Sequence, residues 1–347
     1  MRGRVPLSLL LGAAALVSCG PDEVSSPTPE AELAKGSTGL PLLKSARVGQ
    51  SASFSMPEAA QKFNITLRFL TSEATPSQLA AFSTAAARWQ GLIHGDVPGT
   101  VGLFPANACG AGFPMPAFDA NANPIDDLLI NVLLRPIDGP GNVLGAAGAC
   151  FVRVQDGLPN FGLMFFDVAD LAFLETNNLL DEVVVHEMGH VLGFSAGIFN
   201  LNIPGLFQRT LLSGRNTTDP RFLGQVAIDK YHMLGGRDAT VPIEGVAPRC
   251  GGGTANSHWD EGTFFNELMT GFINGLSANF INPMSPMTTG AMADLGYVVA
   301  PQGESYELQS SPNDPCPPPA PLTNAVAVDG LAISAHEIVL DPVGYVQ

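Results

Sequence analysis

The chain has 347 residues, of which 46% are hydrophobic and 14% charged, so it is long enough to bury a sizeable core in one large domain or two smaller ones. Its 38 glycines and 29 prolines indicate a loop-rich exported protein and argue against a helical bundle. The formal net charge of −16 argues against nucleic acid as a partner, because binding to phosphates requires positive charge.

The N-terminus has the features of a secretory signal peptide. Arg2 and Arg4 are followed by an apolar run over residues 5–17, which is too short to span a bilayer comfortably. The next stretch, LVSC, resembles the bacterial lipobox, so we predict a signal peptide over residues 1–18 and lipid attachment at Cys19. The alternative is an ordinary signal peptide that contains a chance cysteine.

A flexible tether is predicted over residues 19–60. This stretch is rich in Pro, Ser, Thr, Glu and Gly and shows little hydrophobic periodicity. A small propeptide is the alternative interpretation. With a lipid on Cys19, the tether would hold the folded body on a bacterial cell envelope, and the glycine after Cys19 gives no inner-membrane retention signal. We therefore expect an exported lipoprotein on the outer membrane or cell surface.

The folded body begins with a predicted strand, because apolar and polar residues alternate over residues 63–69. Thr75, Pro76 and Gln78 then form a helix start, with a capping residue, a proline at the first helical position and a glutamine placed for a capping box. Further strands are predicted at residues 128–134 and 161–168, and further helices at 225–234 and 288–295. Gly- and Pro-rich loops separate these elements, and their order favours an α+β fold.

The stretch NNLLDEVVVHEMGHVLG predicts a buried helix. Asn178 is placed to cap its start, Asp181 and Glu182 favour the positive end of its dipole, and Gly193 is placed to end it. Apolar residues cover much of its circumference, so we expect the histidines it carries to be buried as well.

Two histidines of this helix have the spacing of metal ligands. His186 and His190 lie four residues apart, so they point the same way and can share one ion. Glu187 lies next to the first, where its carboxylate can accept a proton from a zinc-activated water that attacks a carbonyl. A catalytic zinc site normally has three protein ligands, and the position six residues after the second histidine is Ala196.

The third ligand is therefore sought elsewhere in the chain. His258 is the best candidate by position, because it directly follows a glycine-rich loop and a loop histidine can move to meet a pair fixed on a helix. Other histidines are interpreted as surface or core residues, and two acidic residues stay open as ligands. These alternatives are His94, His232, His336, Asp229 and Glu244.

Four cysteines remain after Cys19, and in an exported chain they predict two disulfides. Three pairings are possible. We favour Cys109–Cys150 and Cys250–Cys316, because each pair then keeps to one half of the chain. No CxxC spacing is present, so a cysteine zinc site is not expected.

Three motifs taken together resemble the leishmanolysin family of metzincin proteases. They are HEMGHVLGF at residues 186–194, SHW at 257–259 and NELMTG at 266–271. In that family an inserted segment separates the third histidine from the second, and a methionine-containing turn follows. The resemblance implies that His258 is the third ligand and that Met269 forms the methionine turn, with Met284 and Met287 as alternatives of poorer spacing.

The resemblance also implies the architecture. We expect an α+β, metzincin-like catalytic domain in two parts. The first, residues 61–196, holds a twisted mixed sheet with helices above the cleft, and the second, residues 197–300, is loop-rich and supplies His258 and the methionine turn. An edge strand at about residues 162–168 would line the cleft and pair with an extended peptide. Residues 301–347 are expected to form a Pro-rich C-terminal tail.

The expected function is that of a zinc-dependent endopeptidase with one catalytic Zn²⁺, acting as a monomer on protein or peptide substrates. The alternatives are a non-catalytic zinc-containing surface binding protein and zinc-dependent hydrolysis of something other than peptides. The chain departs from the family in one respect. Relatives can be kept latent by a propeptide cysteine, and once Cys19 is lipidated this chain has none to spare, so latency is either absent or achieved differently.

Overall fold

A computed structural model describes residues 42–43, 62–71, 74–141, 143–246, 254–273, 282–310 and 337–347. All of them belong to one unit of the chain, residues 37–347. The predicted signal peptide, Cys19, Cys250, Cys316 and His336 lie outside the described residues, so the predictions that concern them stay predictions.

The described residues form short and long elements in mixed order. The strands are β1 (Leu42–Leu43), β2 (Ile65–Phe69), β3 (Leu103–Phe104), β4 (Phe118–Asp119), β5 (Leu128–Arg135), β6 (Gly145–Arg153), β7 (Pro159–Asp167), β8 (Asn202–Ile203), β9 (Phe207–Gln208), β10 (Leu212–Ser213), β11 (Arg221–Phe222), β12 (Val241–Pro242), β13 (Glu337–Leu340) and β14 (Gly344–Val346). The helices are α1 (Pro76–Leu92), α2 (Val168–Thr176), α3 (Leu180–Val191), α4 (Ala196–Phe199), α5 (Gln225–Met233), α6 (Glu261–Phe264) and α7 (Pro286–Leu295). None of the helices in the described ranges is long and apolar enough to cross a membrane.

A mixed sheet forms the centre of the fold. Its strand order is β1-β14-β6-β7-β5-β2, and β13 also pairs with β6. Strands β2, β5 and β7 run parallel to one another, whereas β6 is antiparallel to β7. The two C-terminal strands β13 and β14 both pair with β6 in parallel. The sheet is therefore mixed, in an α+β fold as the sequence predicts.

Both faces of this sheet are buried. Along β5, Leu128, Ile130 and Val132 belong to one core cluster, while Leu129 and Leu133 belong to a second cluster on the opposite face. The first cluster is shared with the long helices, so it connects the sheet to the predicted metal-binding helix.

Helices α1 and α3 cover the face that carries the site. The start of α1 is capped as predicted. The Thr75 side chain accepts a hydrogen bond from the Gln78 amide, and the Gln78 side chain accepts one from the Thr75 amide. The start of α3 differs from the prediction. Its first cap residue is Leu179 without a side-chain hydrogen bond, and Asn178 has a left-handed backbone (φ 54°) instead of capping the helix. Gly193 follows the helix end with φ 110°, as expected for a C-terminal stop.

The chain after α3 is built from short elements, in agreement with a loop-rich second half. A small sheet of β10, β11 and β12 and the packed pair α5 and α7 are its regular parts. In the first half, Cys109 and Cys150 form the predicted disulfide, with a Cα–Cα distance of 5.0 Å. It connects the loop after β3 to the strand β6.

The strand predicted to line the cleft is not an edge strand. Residues 162–168 fall mainly in β7, which is paired on both sides and so cannot accept a peptide at its edge. The strand next in order is β6, with the sequence GAAGACFVR, and it is fully buried. It lacks the alternation and the branched residues that mark a strand, which explains why the pattern did not indicate it. The expected tail also differs, because its residues 337–347 return to the central sheet.

Candidate metal centre

The helix α3 places His186 and His190 on its inner side, where both are fully buried. The helix can approach its surroundings closely because two glycines lie at the contacts. A Cβ on Gly189 would lie 2.6 Å from the Met269 sulfur and 3.0 Å from the Trp89 ring, and a Cβ on Gly162 of β7 would clash with Val191. These contacts fix the height and the rotation of the helix between the sheet and the turn at Met269.

His258 comes from the second half of the chain and is also fully buried. The backbone on both sides of it is held in place: the Glu244 amide donates to the His258 carbonyl (2.9 Å), and the Trp259 amide donates to the Met269 carbonyl (2.9 Å). The Trp259 indole is buried and packs edge-on against Phe194, the residue just beyond α3. The segment that carries the third histidine is thus attached to the end of the helix that carries the first two.

The three imidazole rings meet at their Nε2 atoms. The Nε2–Nε2 distances are 3.0 Å between His186 and His190, 3.1 Å between His190 and His258, and 3.2 Å between His186 and His258. Zn–N bonds of 2.0–2.1 Å in tetrahedral geometry would place such atoms about 3.3 Å apart. The ring nitrogens are therefore arranged as three corners of a tetrahedral zinc site.

The other ring nitrogen of each histidine contacts a backbone carbonyl. His186 Nδ1 lies 2.7 Å from the Leu268 oxygen, His190 Nδ1 lies 2.6 Å from the Phe194 oxygen, and His258 Nδ1 lies 2.9 Å from the Thr254 oxygen. A carbonyl oxygen only accepts, so each Nδ1 carries a proton and donates it. In a neutral ring this leaves the Nε2 lone pair facing the centre, which is the arrangement of a metal ligand with an orienting partner.

These residues fit a divalent zinc ion. Burial lowers the pKa of His190 well below its ordinary value, outweighing the charge of Glu337, which raises it, and the neighbouring rings lower it further. The site therefore favours the neutral ring that a metal ligand requires. Three ring nitrogens that converge within 3.2 Å of one another form a set of donors that a cation at the centre would stabilise. Among the described residues, a group that could hold a metal ion consists of these three histidines and Glu337.

The turn at Met269 is supported by a buried carboxylate. Glu267 is fully buried and accepts hydrogen bonds from the Met269 amide (2.6 Å), the Ser285 amide (3.0 Å) and the Thr288 hydroxyl. Burial raises the pKa of Glu267 despite these donors. Because the residue between Glu267 and Met269 supplies the carbonyl for His186, this carboxylate also positions the first predicted ligand.

Glu187, the predicted general base, is buried next to the site. Its carboxylate oxygens contact no backbone amide and no neutral donor among the described residues, and the neighbouring group is the Glu337 carboxylate. Burial raises the pKa of Glu187 well above its ordinary value, and the charge of the neighbouring Glu337 raises it further. A cation held by the three rings would act in the opposite direction and favour the charged carboxylate, which is the form that can accept a proton.

Glu337 is a member of the cluster that sequence reasoning missed. Its Oε1 lies 2.6 Å from His258 Nε2, and its Oε2 lies 3.4 Å from His186 Nε2 and 3.8 Å from His190 Nε2. Burial raises the pKa of Glu337, but the contacts with His258 and His186 outweigh burial and hold the pKa well below its ordinary value. The residue lies in the predicted tail, and no spacing to the helix motif marks it in the sequence.

The remaining ligand candidates in the described residues lie elsewhere. His94 is exposed and contacts the Gly91 carbonyl, and His232 is exposed and contacts the Asp238 carbonyl. The Asp229 side chain is exposed and binds Gln225, and Glu244 accepts the amide of Glu261. Met284 and Met287, the alternatives to Met269, are buried. The atoms nearest to Gly189 of the metal-binding helix come from Met269 and Trp89 and not from these two methionines.

Comparison with known proteins leads to the same chemistry. A relative described as a leishmanolysin homolog from Crithidia fasciculata is 29% identical over 192 residues, which cover 55% of this chain and 27% of the relative. The chain thus matches only about a quarter of that protein's length. No solved structure gave a significant match. A sequence model described as Leishmanolysin, of a peptidase family, matches residues 97–308, which is more than half of the chain. The chain therefore belongs to the leishmanolysin family of metallopeptidases.

Proposed function

We propose that this protein is a zinc-dependent endopeptidase that cleaves peptide bonds in proteins or peptides. The observation that carries the proposal is the meeting of three Nε2 atoms within 3.2 Å of one another, each on a ring whose Nδ1 is tied to a backbone carbonyl. A structural zinc site needs a fourth ligand but no second carboxylate, whereas Glu187 is buried beside this one and contacts no neutral hydrogen-bond donor among the described residues.

Each residue of the site has a separate task in this proposal. His186, His190 and His258 hold the ion, and a zinc ion bound there supplies the Lewis acidity that activates water and polarises the peptide carbonyl. Glu187 accepts the proton that water loses and passes it to the departing amine. Met269 gives the three rings an apolar floor and carries no proton itself. Strand β6 would offer the backbone edge at which an extended peptide pairs, once the C-terminal strands β13 and β14 no longer occupy it.

Attachment to a bacterial envelope through a lipid on Cys19 is a further part of the proposal. It is supported by the N-terminal sequence alone, with its two arginines, short apolar run and LVSC motif. A monomer tethered by residues 19–60 would act on proteins near the outer membrane or the cell surface. Labelling with a radioactive fatty acid, in the parent and in Cys19→Ser, tests the attachment directly.

Peptidase activity is tested with unfolded casein and the chain from Gly20 onward, compared with its Glu187→Gln variant. We expect both proteins to bind one zinc ion. Cleavage should require the glutamate at position 187, because glutamine cannot take up the proton. Cleavage must also stop when a chelator removes the metal. Zinc binding and cleavage are also measured in proteins that carry Glu337→Ala in addition. Glu337 contacts the three rings, so without this substitution an active site that Glu337 blocks would look the same as an inactive one.

The result distinguishes the peptidase from the non-catalytic binding protein. If zinc is bound in every variant and no peptide or unfolded protein is cut even without Glu337, the endopeptidase proposal fails. Equal cleavage by the parent and by Glu187→Gln would leave zinc hydrolysis in place but remove Glu187 from its role.

A further inference from the structure

Strands β13 and β14 pair with the side of β6 that faces away from β7. Strand β13 pairs with residues 145–148 of β6, and β14 pairs with residues 151–153, both in parallel. These strands lie outside residues 97–308, which the family model matches. Because a backbone edge can pair with one strand at a time, β6 cannot bind a peptide substrate while β13 is in place.

The C-terminal strands are closely fitted to β6. A Cβ on Gly148 would clash with the backbone oxygen of Leu340, so a glycine is needed at this position for β13 to lie where it does. Leu340 and Val346 are almost fully buried in the second core cluster. The contact is thus a packed part of the fold and not a loose end of the chain lying on its surface.

The first residue of β13 extends a carboxylate into the cluster of histidines. The Glu337 side chain is fully buried, and its two oxygens lie 2.6 Å, 3.4 Å and 3.8 Å from the Nε2 atoms of His258, His186 and His190. Three imidazole rings offer three of the four ligands of a tetrahedral zinc ion, and a carboxylate oxygen is also a zinc ligand. The carboxylate therefore lies where the fourth ligand belongs.

We propose that Glu337 is the fourth ligand of the metal ion and that β13 and β14 form an inhibitory segment that keeps the full chain latent. The proposal rests on the proposed function, since it names how that same site is regulated. Two contacts act together in it: the carboxylate excludes water from the metal, and the strand pairing excludes the substrate from β6. What enters the site is a side-chain carboxylate with no scissile bond, so the segment blocks the site without being cleaved there.

Latency of this kind depends on a conformational equilibrium within one chain. A ligand for the metal must compete with Glu337, so its apparent dissociation constant is the intrinsic constant divided by the fraction of open molecules. Any event that displaces residues 337–347 from β6 would then open the site. Cutting the chain before Glu337, or a partner that binds these strands, would both have that effect.

The test measures access to the metal in the full chain, using acetohydroxamic acid as a small bidentate zinc ligand. Its dissociation constant is measured calorimetrically for the parent, Glu337→Ala and Glu337→Gln, each loaded with one zinc ion. We expect affinity to rise about 10-fold or more in Glu337→Ala, with a smaller rise in Glu337→Gln. The matched control is Asp341→Asn, which removes an equal charge from the same segment at an exposed position that pairs with Arg215.

A second measurement reports the ligand itself. With Co²⁺ in place of zinc, the visible absorption bands depend on the ligand set, so they should change in Glu337→Ala and stay unchanged in Asp341→Asn. Gly148→Ala provides an independent route, because its methyl group would displace β13 while Glu337 remains in the chain. We expect it to increase hydroxamate affinity as well.

The outcomes separate this inference from the proposed function. Equal hydroxamate affinity and equal cobalt spectra in the parent and in Glu337→Ala would overturn the inference, whether or not the protein cleaves peptides. Higher affinity and a changed spectrum in Glu337→Ala support it. If that opened protein then cleaves nothing, it is the endopeptidase proposal that fails, and Glu337 remains a ligand of a non-catalytic site.

Discussion

The close contact between the metal-binding helix and the methionine turn predicts an unusual effect of Gly189→Ala. Glycine in a helix interior costs roughly 0.5–1 kcal/mol relative to alanine, so this substitution ordinarily stabilises a protein. Here the added methyl group would lie 2.6 Å from the sulfur and 2.9 Å from the Cε of Met269, and 3.0 Å from the Trp89 ring. All three distances are shorter than normal contacts, and both neighbours are fully buried.

The magnitude follows from two opposing terms. Forcing a methyl group into a closely packed site costs about 1–3 kcal/mol. The helix propensity of alanine returns about 1 kcal/mol at most, so we expect a net loss of about 1 kcal/mol in the free energy of unfolding. Met269 follows Leu268, whose carbonyl holds the His186 ring at 2.7 Å, so zinc affinity should fall as well.

Urea unfolding of the zinc-loaded chain measures the effect, with Gly91→Ala as the matched control. Gly91 lies near the end of α1, and a Cβ there would meet nothing within 4 Å. The control should therefore gain up to about 1 kcal/mol while Gly189→Ala loses a similar amount. In a Met269→Ala background most of the crowding is removed, so Gly189→Ala should cost less there, and the difference is the coupling energy between the two positions.

The reasoning would be refuted by a Gly189→Ala protein that is as stable as the Gly91→Ala protein. If Gly189→Ala costs the same free energy of unfolding in the Met269→Ala background, the crowding comes from Trp89 alone, and the role given to Met269 is refuted.

Three further predictions follow from the site and its supports. His258→Ala should weaken zinc binding by more than the roughly 100-fold that the loss of a supporting hydrogen bond can cost, whereas His232→Ala should leave zinc content unchanged; the reverse result in metal analysis would mean that the wrong histidine was assigned. Glu267 accepts three hydrogen bonds, and in Glu267→Gln the side-chain NH2 group would face at least one of these buried donors instead of accepting from it. Urea unfolding should therefore show a loss of about 2–4 kcal/mol in the free energy of unfolding, and an unchanged midpoint would contradict this role. Cys109→Ser opens the disulfide to Cys150, which closes a loop with a sequence separation of 41, and should cost about 4 kcal/mol; reduction of the parent should lower its stability at least as far, because it also opens the predicted Cys250–Cys316 disulfide.

The sequence predicts the local parts of the site well, because their signals are local. The spacing of His186 and His190, the stop at Gly193 and the capping box at Thr75 each depend on a few neighbouring residues, and each appears as expected. The third histidine is different. Position after a glycine-rich loop favours His258, but only the resemblance to a family assigns it, and the distances of 3.1 Å and 3.2 Å to the other rings agree with that assignment.

The parts that the sequence does not predict depend on long-range pairing. Strand β6 consists largely of alanine and glycine, and it is a strand because β7 lies on one side and the C-terminal strands on the other. Its glycines are poor strand formers but allow close approach, as Gly148 does for Leu340. Glu337 lies 79 residues after His258, and nothing in its neighbourhood indicates a ligand until β13 is paired. Such partners become visible only when the whole sheet is assembled.

The choice of hydrogen-bond partners for the three rings has a consequence for the charge of the centre. Leu268, Phe194 and Thr254 offer backbone carbonyls, which are dipoles without net charge, where a carboxylate would bring a negative charge close to the metal. A divalent ion held by three neutral imidazoles keeps its full positive charge in a pocket that water barely reaches, and the low dielectric strengthens its attraction for an anion. An oxygen that reaches this centre is therefore held strongly. The Glu337 carboxylate and the oxygen of a substrate would compete for the same position on the ion, and the stronger electrostatic attraction would prevail.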